Sequence, residues 1–266
     1  MALILGSPCQ GSCRRSRLRG SQTWIHVNLG LTEPKVMLPI DDAGEPDWQF
    51  MEDYIREREA VQVERCREFL ARRLEEIERV TEPVIPLDEK VWMPFPLASI
   101  GRISSGRDIY AQEREAGRTP YITSGSANNG IGYFVNNMND KIDSGYIALN
   151  RNGAVGKAFY HPYPSLMGND CRKLHLKEAD NNEFVGMFVT VAISMQSACF
   201  SYSRKLGTKR AERLQVMLPM NDEGEPDYDY MENYVHSIME QQYRRELRFL
   251  ERKCDLIKDG RPLSTR

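Results

Sequence analysis

Val36-Met37-Leu38-Pro39-Ile40-Asp41-Asp42-Ala43-Gly44-Glu45-Pro46-Asp47 returns 180 positions later as Val216-Met217-Leu218-Pro219-Met220-Asn221-Asp222-Glu223-Gly224-Glu225-Pro226-Asp227. The likeness continues without a gap through Met51/Met231, Glu52/Glu232, Tyr54/Tyr234, Arg65/Arg245, Phe69/Phe249, Leu70/Leu250, Arg72/Arg252 and Ile77/Ile257. A repeat dictates architecture before any other feature does. Two copies this far apart do not make a short-period solenoid. They read as matching supports on either side of one different domain.

Each copy reads as a short strand, a turn and a long helix. In the first, 36–40 is strand-like and the turn centres on Asp42-Ala43-Gly44. Asp47 then follows a proline and precedes a periodic run, the position of an N-cap carboxylate. From Trp48 to about Arg79, apolar residues at Met51, Tyr54, Ile55, Val61, Cys66, Phe69, Leu70, Leu74 and Ile77 form one helical stripe. Glu52/Arg56, Glu68/Arg72 and Glu75/Arg79 sit at i,i+4 on the other face, each pair adding only tenths of a kcal/mol. A helix of about 32 residues is roughly 48 Å long. That is too long to bury its face on a small domain, so helix-on-helix packing is expected. The second copy, Tyr228 to about Ile257, supplies the matching stripe. The expected pairing residues are Met51, Tyr54, Phe69, Leu70 and Ile77 on one helix, with Met231, Tyr234, Leu247, Leu250 and Ile257 on the other.

The boundaries follow: a spacer at 35–80, a middle domain at 81–215, a second spacer at 216–258 and a tail at 259–266. Pro83, Pro86, Pro94 and Pro96 end the first helix and lead into the middle domain. Residues 1–34 show no period of 2 or 3.6 and carry a basic cluster, Arg14, Arg15, Arg17 and Arg19. They read as a disordered leader or the remnant of something once longer.

The chain has 266 residues, 28% of them charged, and a net charge of -2. That total conceals an asymmetry. Residues 92–215 hold 15 Lys+Arg against 10 Asp+Glu, a net of +5, whereas 1–91 is -4 and 216–266 is -3. A basic excess on one domain fits a polyanionic partner. The six cysteines are scattered (Cys9, Cys13, Cys66, Cys171, Cys199, Cys254). They form neither a disulfide framework nor a zinc pattern, and reduced thiols in a cytoplasmic protein are expected. Nothing approaches the roughly 18 apolar residues of a membrane span.

The middle domain is rich in Gly, Asn, Ser and Tyr. Strands are expected at 121–124, 131–135, 146–150, 154–160 and 172–176, joined by the turn signals Asn128-Asn129-Gly130 and Arg151-Asn152-Gly153. Residues 184–195 are apolar enough for one buried helix. No phosphate-cradling Gly-rich loop, dinucleotide fingerprint or nucleophile elbow is present, and no catalytic residue, metal ligand or cofactor is assigned.

What remains is a set of short polar side chains on turns with nearby cations. Ser124, Ser126, Asn128 and Asn129 lie on one turn, with Tyr133 just beyond. Asn150, Arg151, Asn152 and Lys157 lie on another. Ser203, Arg204 and Lys205 with Lys209 and Arg210 form a basic stretch. Asn bonds an adenine edge bidentately, Arg a guanine edge, and Ser, Lys and Arg grip phosphates. The same Asn-Gly and Ser-Gly runs also serve as plain hairpin turns.

The duplicated V-M-L-P-x-x-D-x-G-E-P-D, followed by a Tyr/Met-bearing amphipathic helix, resembles the spacer of type I restriction–modification specificity (S) subunits. Tyr121-Ile122-Thr123-Ser124 with Asn128-Asn129-Gly130 is similar to a segment of that family's target recognition domains. So is Leu149-Asn150-Arg151-Asn152-Gly153-Ala154-Val155-Gly156-Lys157-Ala158-Phe159-Tyr160. Ser203-Arg204-Lys205-Leu206 resembles the stretch that hands back to the spacer. The resemblance covers about 35–257. It implies an α+β fold, with one β-rich target recognition domain flanked by two long antiparallel coiled-coil-like helices. It also implies a non-catalytic reader of double-stranded DNA that works with DNA methyltransferase (modification) subunits and a restriction subunit. Family members normally carry two recognition domains, each reading half of a split target. Here only one is expected, so the chain resembles a half subunit, for which a homodimer on a palindromic site is one expectation. A non-reading interaction scaffold or a silent recombination cassette is the alternative.

Overall fold

A computed structural model of the chain describes residues 24–27, 36–78, 84–179, 182–201 and 203–258. They divide into two compact units, residues 1–68 with 250–266, and residues 69–249. The division falls inside both long helices, between residues 68 and 69 and between 249 and 250.

In the first unit, β1 (Trp24–Val27) pairs antiparallel with β2 (Val36–Pro39), Trp24 opposite Pro39. A strand therefore stands within the stretch where no period was legible; the rest of 1–34 lies outside the described residues. After β2 the turn closes as the sequence demands. Asp41 Oδ1 accepts from the Ala43 and Glu45 backbone N–H at 2.9 and 3.0 Å, and Gly44 takes φ 83°. Asp47 Oδ1 accepts from Phe50 N–H at 2.9 Å, satisfying a donor that the first helical turn leaves unpaired.

Helix α1 (Trp48–Glu78) then runs for 31 residues. Its buried apolar residues are Val63, Leu70 and Ile77, spaced seven apart. Two expected pairing residues are exposed. Phe69 stands one step from Leu70 and is 49% exposed; Tyr54 is 50% exposed, stacking on Phe50 at 6.3 Å with the Arg58 guanidinium 5.5 Å above its ring. Phe69, Leu70 and Ile77 belong to the second unit; in the first, Leu250 is buried and Lys253 Nζ lies 3.8 Å from Glu59.

The second unit holds, in order, β3 (Trp92–Pro96), α2 (Leu97–Ile100), β4 (Gly101–Ser105), β5 (Ala116–Ile122), β6 (Ile131–Val135) and β7 (Tyr146–Asn150). There follow β8 (Ala158–His161), β9 (Leu166–Met167), β10 (Cys171–Leu176), α3 (Glu183–Ser194), α4 (Thr208–Glu212), β11 (Gln215–Pro219) and most of α5 (Tyr228–Lys258). Strands β4, β10, β7 and β8 form an antiparallel sheet in that order. A second sheet, β6-β5-β9, joins β5 to β9 in parallel, and β11 pairs with β3.

Helix α3 packs on the four-stranded sheet. Asn182 caps it, its Oδ1 accepting from Phe184 and Val185 N–H at 3.1 Å. Gly186 lets the Tyr160 ring approach so closely that an added Cβ would come within 2.4 Å of it. The core gathers Leu97, Ile147, Leu149, Leu174, Val189 and Ile193 with Val216, Leu218 and Met231. Met231 and Tyr234, expected at a helix–helix seam, instead close this domain's core. The apolar face of α3 needs a cover, and the first turns of α5 supply it. Leu247 and Ile257 are half-buried. Among the described residues, no helix is long and apolar enough to cross a membrane.

Candidate nucleic-acid interface

Two turns of the second unit are stitched into one surface. The Ala154 N–H donates to Ser124 O at 3.0 Å, and Gly153, at φ 57°, passes so near Ser124 O that a Cβ would sit 2.5 Å from it. Asn150 completes the stitching. Its Nδ2 donates to Gly125 O at 2.9 Å, its Oδ1 accepts the Cys171 thiol at 3.3 Å, and the residue is fully buried. Asn150 was expected to contact DNA. Both ends of its amide are engaged inside the protein, so it shapes the surface instead of reading from it. Asn128 and Asn129 both adopt left-handed φ, 50° and 53°, a conformation their short polar side chains tolerate, and both are exposed beside exposed Ser126 and half-buried Ser124.

The cations converge nearby. Arg151, Asn152, Lys205, Gly207, Thr208, Lys209 and Arg210 line one open hollow of about 510 Å³. Arg204, Lys209, Arg210 and Arg213 border a second, of about 570 Å³, with Gln196 and Phe200 at its back. Exposed Lys157 borders a third of about 320 Å³ with Phe200 and Ser201, and Ser203 Oγ meets Ser201 Oγ at 3.0 Å. Sequence-distant cations thus share one face, because α4 folds back beside the turn after β7.

Arg172 makes that connection. It is 6% exposed; its Nε donates to Thr208 Oγ1 at 2.8 Å, and its Nη1 donates to the Cys171 and Asn169 carbonyls at 2.7 and 2.8 Å. Burial lowers its pKa and also pushes the Cys171 thiol up to about 12. The thiol is a packed hydrogen-bond donor, not a nucleophile. Tyr133 is not among the residues lining these hollows. It lies on β6, 48% exposed, with the Arg114 guanidinium 4.0 Å above its ring.

Sequence reasoning missed Arg172 and Asp170. In the sequence Arg172 reads only as part of a strand, where alternation gives no warning of a buried guanidinium. Asp170 joins the surface through both its main chain and its side chain. Its carbonyl accepts from Arg151 and Asn152 N–H at 2.9 and 3.2 Å, and its carboxylate accepts from Arg151 Nη2 at 3.3 Å and from Asn152 Nδ2. Among the described residues, no group of three His, Cys, Asp or Glu is placed to hold a metal.

Comparison with known proteins bears on this surface. The type I restriction modification DNA specificity domain matches residues 89–247. The type II restriction enzyme BgcI specificity subunit S.BcgI of Heyndrickxia coagulans is 30% identical over 201 residues, 76% of this chain and 57% of that protein. The chain therefore spans little more than half of that relative. Among solved structures, a type I restriction–modification S subunit from M. genitalium aligns at a TM-score of 0.47 with 19% identity, over 88% of this chain and 65% of that one. The HsdS subunit of Thermoanaerobacter tengcongensis aligns at 0.41 with 12% identity, over 85% and 58%. Since the matched residues make up more than half of the chain, with the turn–helix repeat and the stitched polar loops inside or beside them, this protein belongs to the type I restriction modification DNA specificity family.

Proposed function

We propose that the chain is a non-catalytic DNA specificity subunit that reads one half of a split target through its recognition segment, residues 81–215. The observation that carries this reading is the convergence of Arg151, Lys205, Lys209 and Arg210 on one hollow beside the polar turns. Cations grip phosphates and fix register, while Asn and Arg side chains at the same edge discriminate bases. Ser124, Ser126, Asn128, Asn129, Asn152, Lys157, Ser203 and Arg204 complete the proposed contact set. Tyr133 flanks it.

The two spacer helices act in this reading as an antiparallel ruler. A supporting contact is the ion pair of Lys253 with Glu59 between α5 and α1. A helix of 31 residues is about 46 Å long, more than one DNA turn of about 34–36 Å, which suits a spacer between half-sites. Modification and restriction subunits are the proposed protein partners, in the cytoplasm. An apolar hollow of about 750 Å³, bordered by Met187, Val191, Met195, Met217 and Ile238, favours protein assembly over isolation. Two copies on a palindromic site would restore a pair of half-site readers.

The test is selection of bound duplexes from a random-sequence pool by the full chain with its modification subunit. A single short motif, lost when Arg151, Lys157 and Arg204 are changed to Ala while assembly persists, is expected. Recovery of no motif defeats the reading. Mass measurement of the chain with and without the modification subunit decides the homodimer, which a monomer in both states rules out.

A further inference from the structure

The carboxylate of Asp170 stands against the two side chains best suited to reading bases at this surface. Its main-chain oxygen fixes the backbone of Arg151 and Asn152, and its Oδ1 takes one donor from each side chain. The turn that carries it is itself held rigid. Asn169 N–H donates to Asp108 at 2.7 Å, buried Arg172 grips the Asn169 carbonyl, and Cys171 N–H returns to Gly168 O at 3.2 Å. Asp170 is nonetheless exposed, its side chain 55% accessible. Two atoms of the trio stay unpartnered although shielded from solvent, Arg151 Nε and Asn152 Oδ1.

We propose that Asp170 determines specificity by positioning Arg151 and Asn152 while opposing indiscriminate phosphate binding. The proposal rests on the reading of this surface as the DNA interface. The Asn152 amide pairs bidentately with an adenine edge by offering Oδ1 and one Nδ2–H, and Asp170 can keep the second Nδ2–H and so hold the amide plane in place. A guanidinium paired with a carboxylate contributes little net charge toward a passing phosphate. A phosphate must therefore compete with the carboxylate for the Arg151 charge, whereas a base edge need not displace it. A matched base edge adds bonds of fixed geometry to the donors that Asp170 leaves free, whereas a phosphate meets a guanidinium whose charge is already paired and a carboxylate that repels it. The discrimination arises because the wrong partner leaves donors and a carboxylate poorly paired.

The experiment uses the full chain with its modification subunit, a duplex carrying the selected motif, and a scrambled duplex of equal length. Binding is measured across a salt series for wild type, Asp170→Asn and Asp170→Ala. Asp170→Asn keeps an acceptor oxygen near Arg151 but removes the charge. Its scrambled-duplex affinity is expected to rise several-fold at low salt. Its salt dependence should steepen by about one phosphate's worth, a change near 0.9 in the log–log slope. The matched-to-scrambled ratio is expected to fall about tenfold. Asp170→Ala, which also loses the positioning acceptor, should lower that ratio further. A merely structural role would instead weaken both duplexes together, and that result overturns the proposal, as does an unchanged ratio and slope in Asp170→Asn. If wild type selects no motif, the DNA-reading assignment itself fails and takes this proposal with it, an outcome visible before either variant is made.

Discussion

The two copies of the repeat are nearly identical as turns and differ as surfaces. Asn221 Oδ1 accepts from Glu223 and Glu225 N–H at 3.0 and 2.9 Å, as Asp41 does for Ala43 and Glu45. Gly224 has φ 84° where Gly44 has 83°. Asp227 caps α5 through Tyr230 N–H at 3.0 Å, as Asp47 caps α1 through Phe50. Beyond the cap the copies part. Met231 is fully buried and Met51 only half so; Tyr228 is partly buried against the recognition core, whereas Trp48 is 69% exposed. At the position where α1 has Arg56, paired with Glu52 on a solvated face, α5 has His236, 3% exposed beneath Phe184 at 3.8 Å. Local hydrogen-bonding chemistry is thus preserved in both copies, while the helix faces diverge according to what covers them. The second copy has a recognition domain packed on it.

Substitution can break that contrast most forcefully at the methionines. Met231→Ala should cost about 2–5 kcal/mol of stability, as for other emptied core sites, and Met51→Ala less than about 1 kcal/mol, read by urea unfolding. Equal losses would mean that the first copy is covered as fully as the second.

The next largest effect is one of pH, and it belongs to the recognition domain. His161 is fully buried with Nε2 unpartnered, and burial pushes its imidazole down to about 4. An unfolded histidine titrates near 6.5. The unfolded chain therefore binds the extra proton between those values. The contribution is intact above about pH 6.5 and is lost as pH falls toward 4, reaching roughly 3 kcal/mol at the extreme. Unfolding measured at pH 7.5 and 4.5 should show that loss in wild type but not in His161→Gln, and parallel losses would remove His161 as its source.

The caps give the smallest and most diagnostic difference. Asp47→Ala should cost about 1 kcal/mol. Asp227→Ala should cost more, up to about 2 kcal/mol, because Asp227 also pairs with Lys90 at 2.6 Å in a half-buried setting. A double-mutant cycle with Lys90→Met measures the excess, and a cycle energy of zero would show that the pair adds nothing to the cap.

Much of the architecture was legible because it is local. The strands at Ile131–Val135 and Tyr146–Asn150 and the helices from Trp48 and Tyr228 stand where alternation, capping and helical period put them. The strand at Trp92–Pro96 was missed, since prolines mask a strand whose pairing partner, Gln215–Pro219, lies over a hundred residues away. In the candidate site, the turn residues and cations were legible from residue type. Burial was not. Asn150 looks like its neighbours Arg151 and Asn152 in the sequence, yet it alone is consumed by hydrogen bonds to Gly125 and Cys171.

By itself the sequence determined the repeat, its turns, its caps and the family to which the chain belongs, because each depends on residues close together in the chain. Only the tertiary structure decided which face of each helix is buried, that Met231 serves the recognition core, and that Asp170 meets Arg151 and Asn152. Those outcomes depend on which distant surfaces exclude water from one another, and no spacing along a chain encodes that directly.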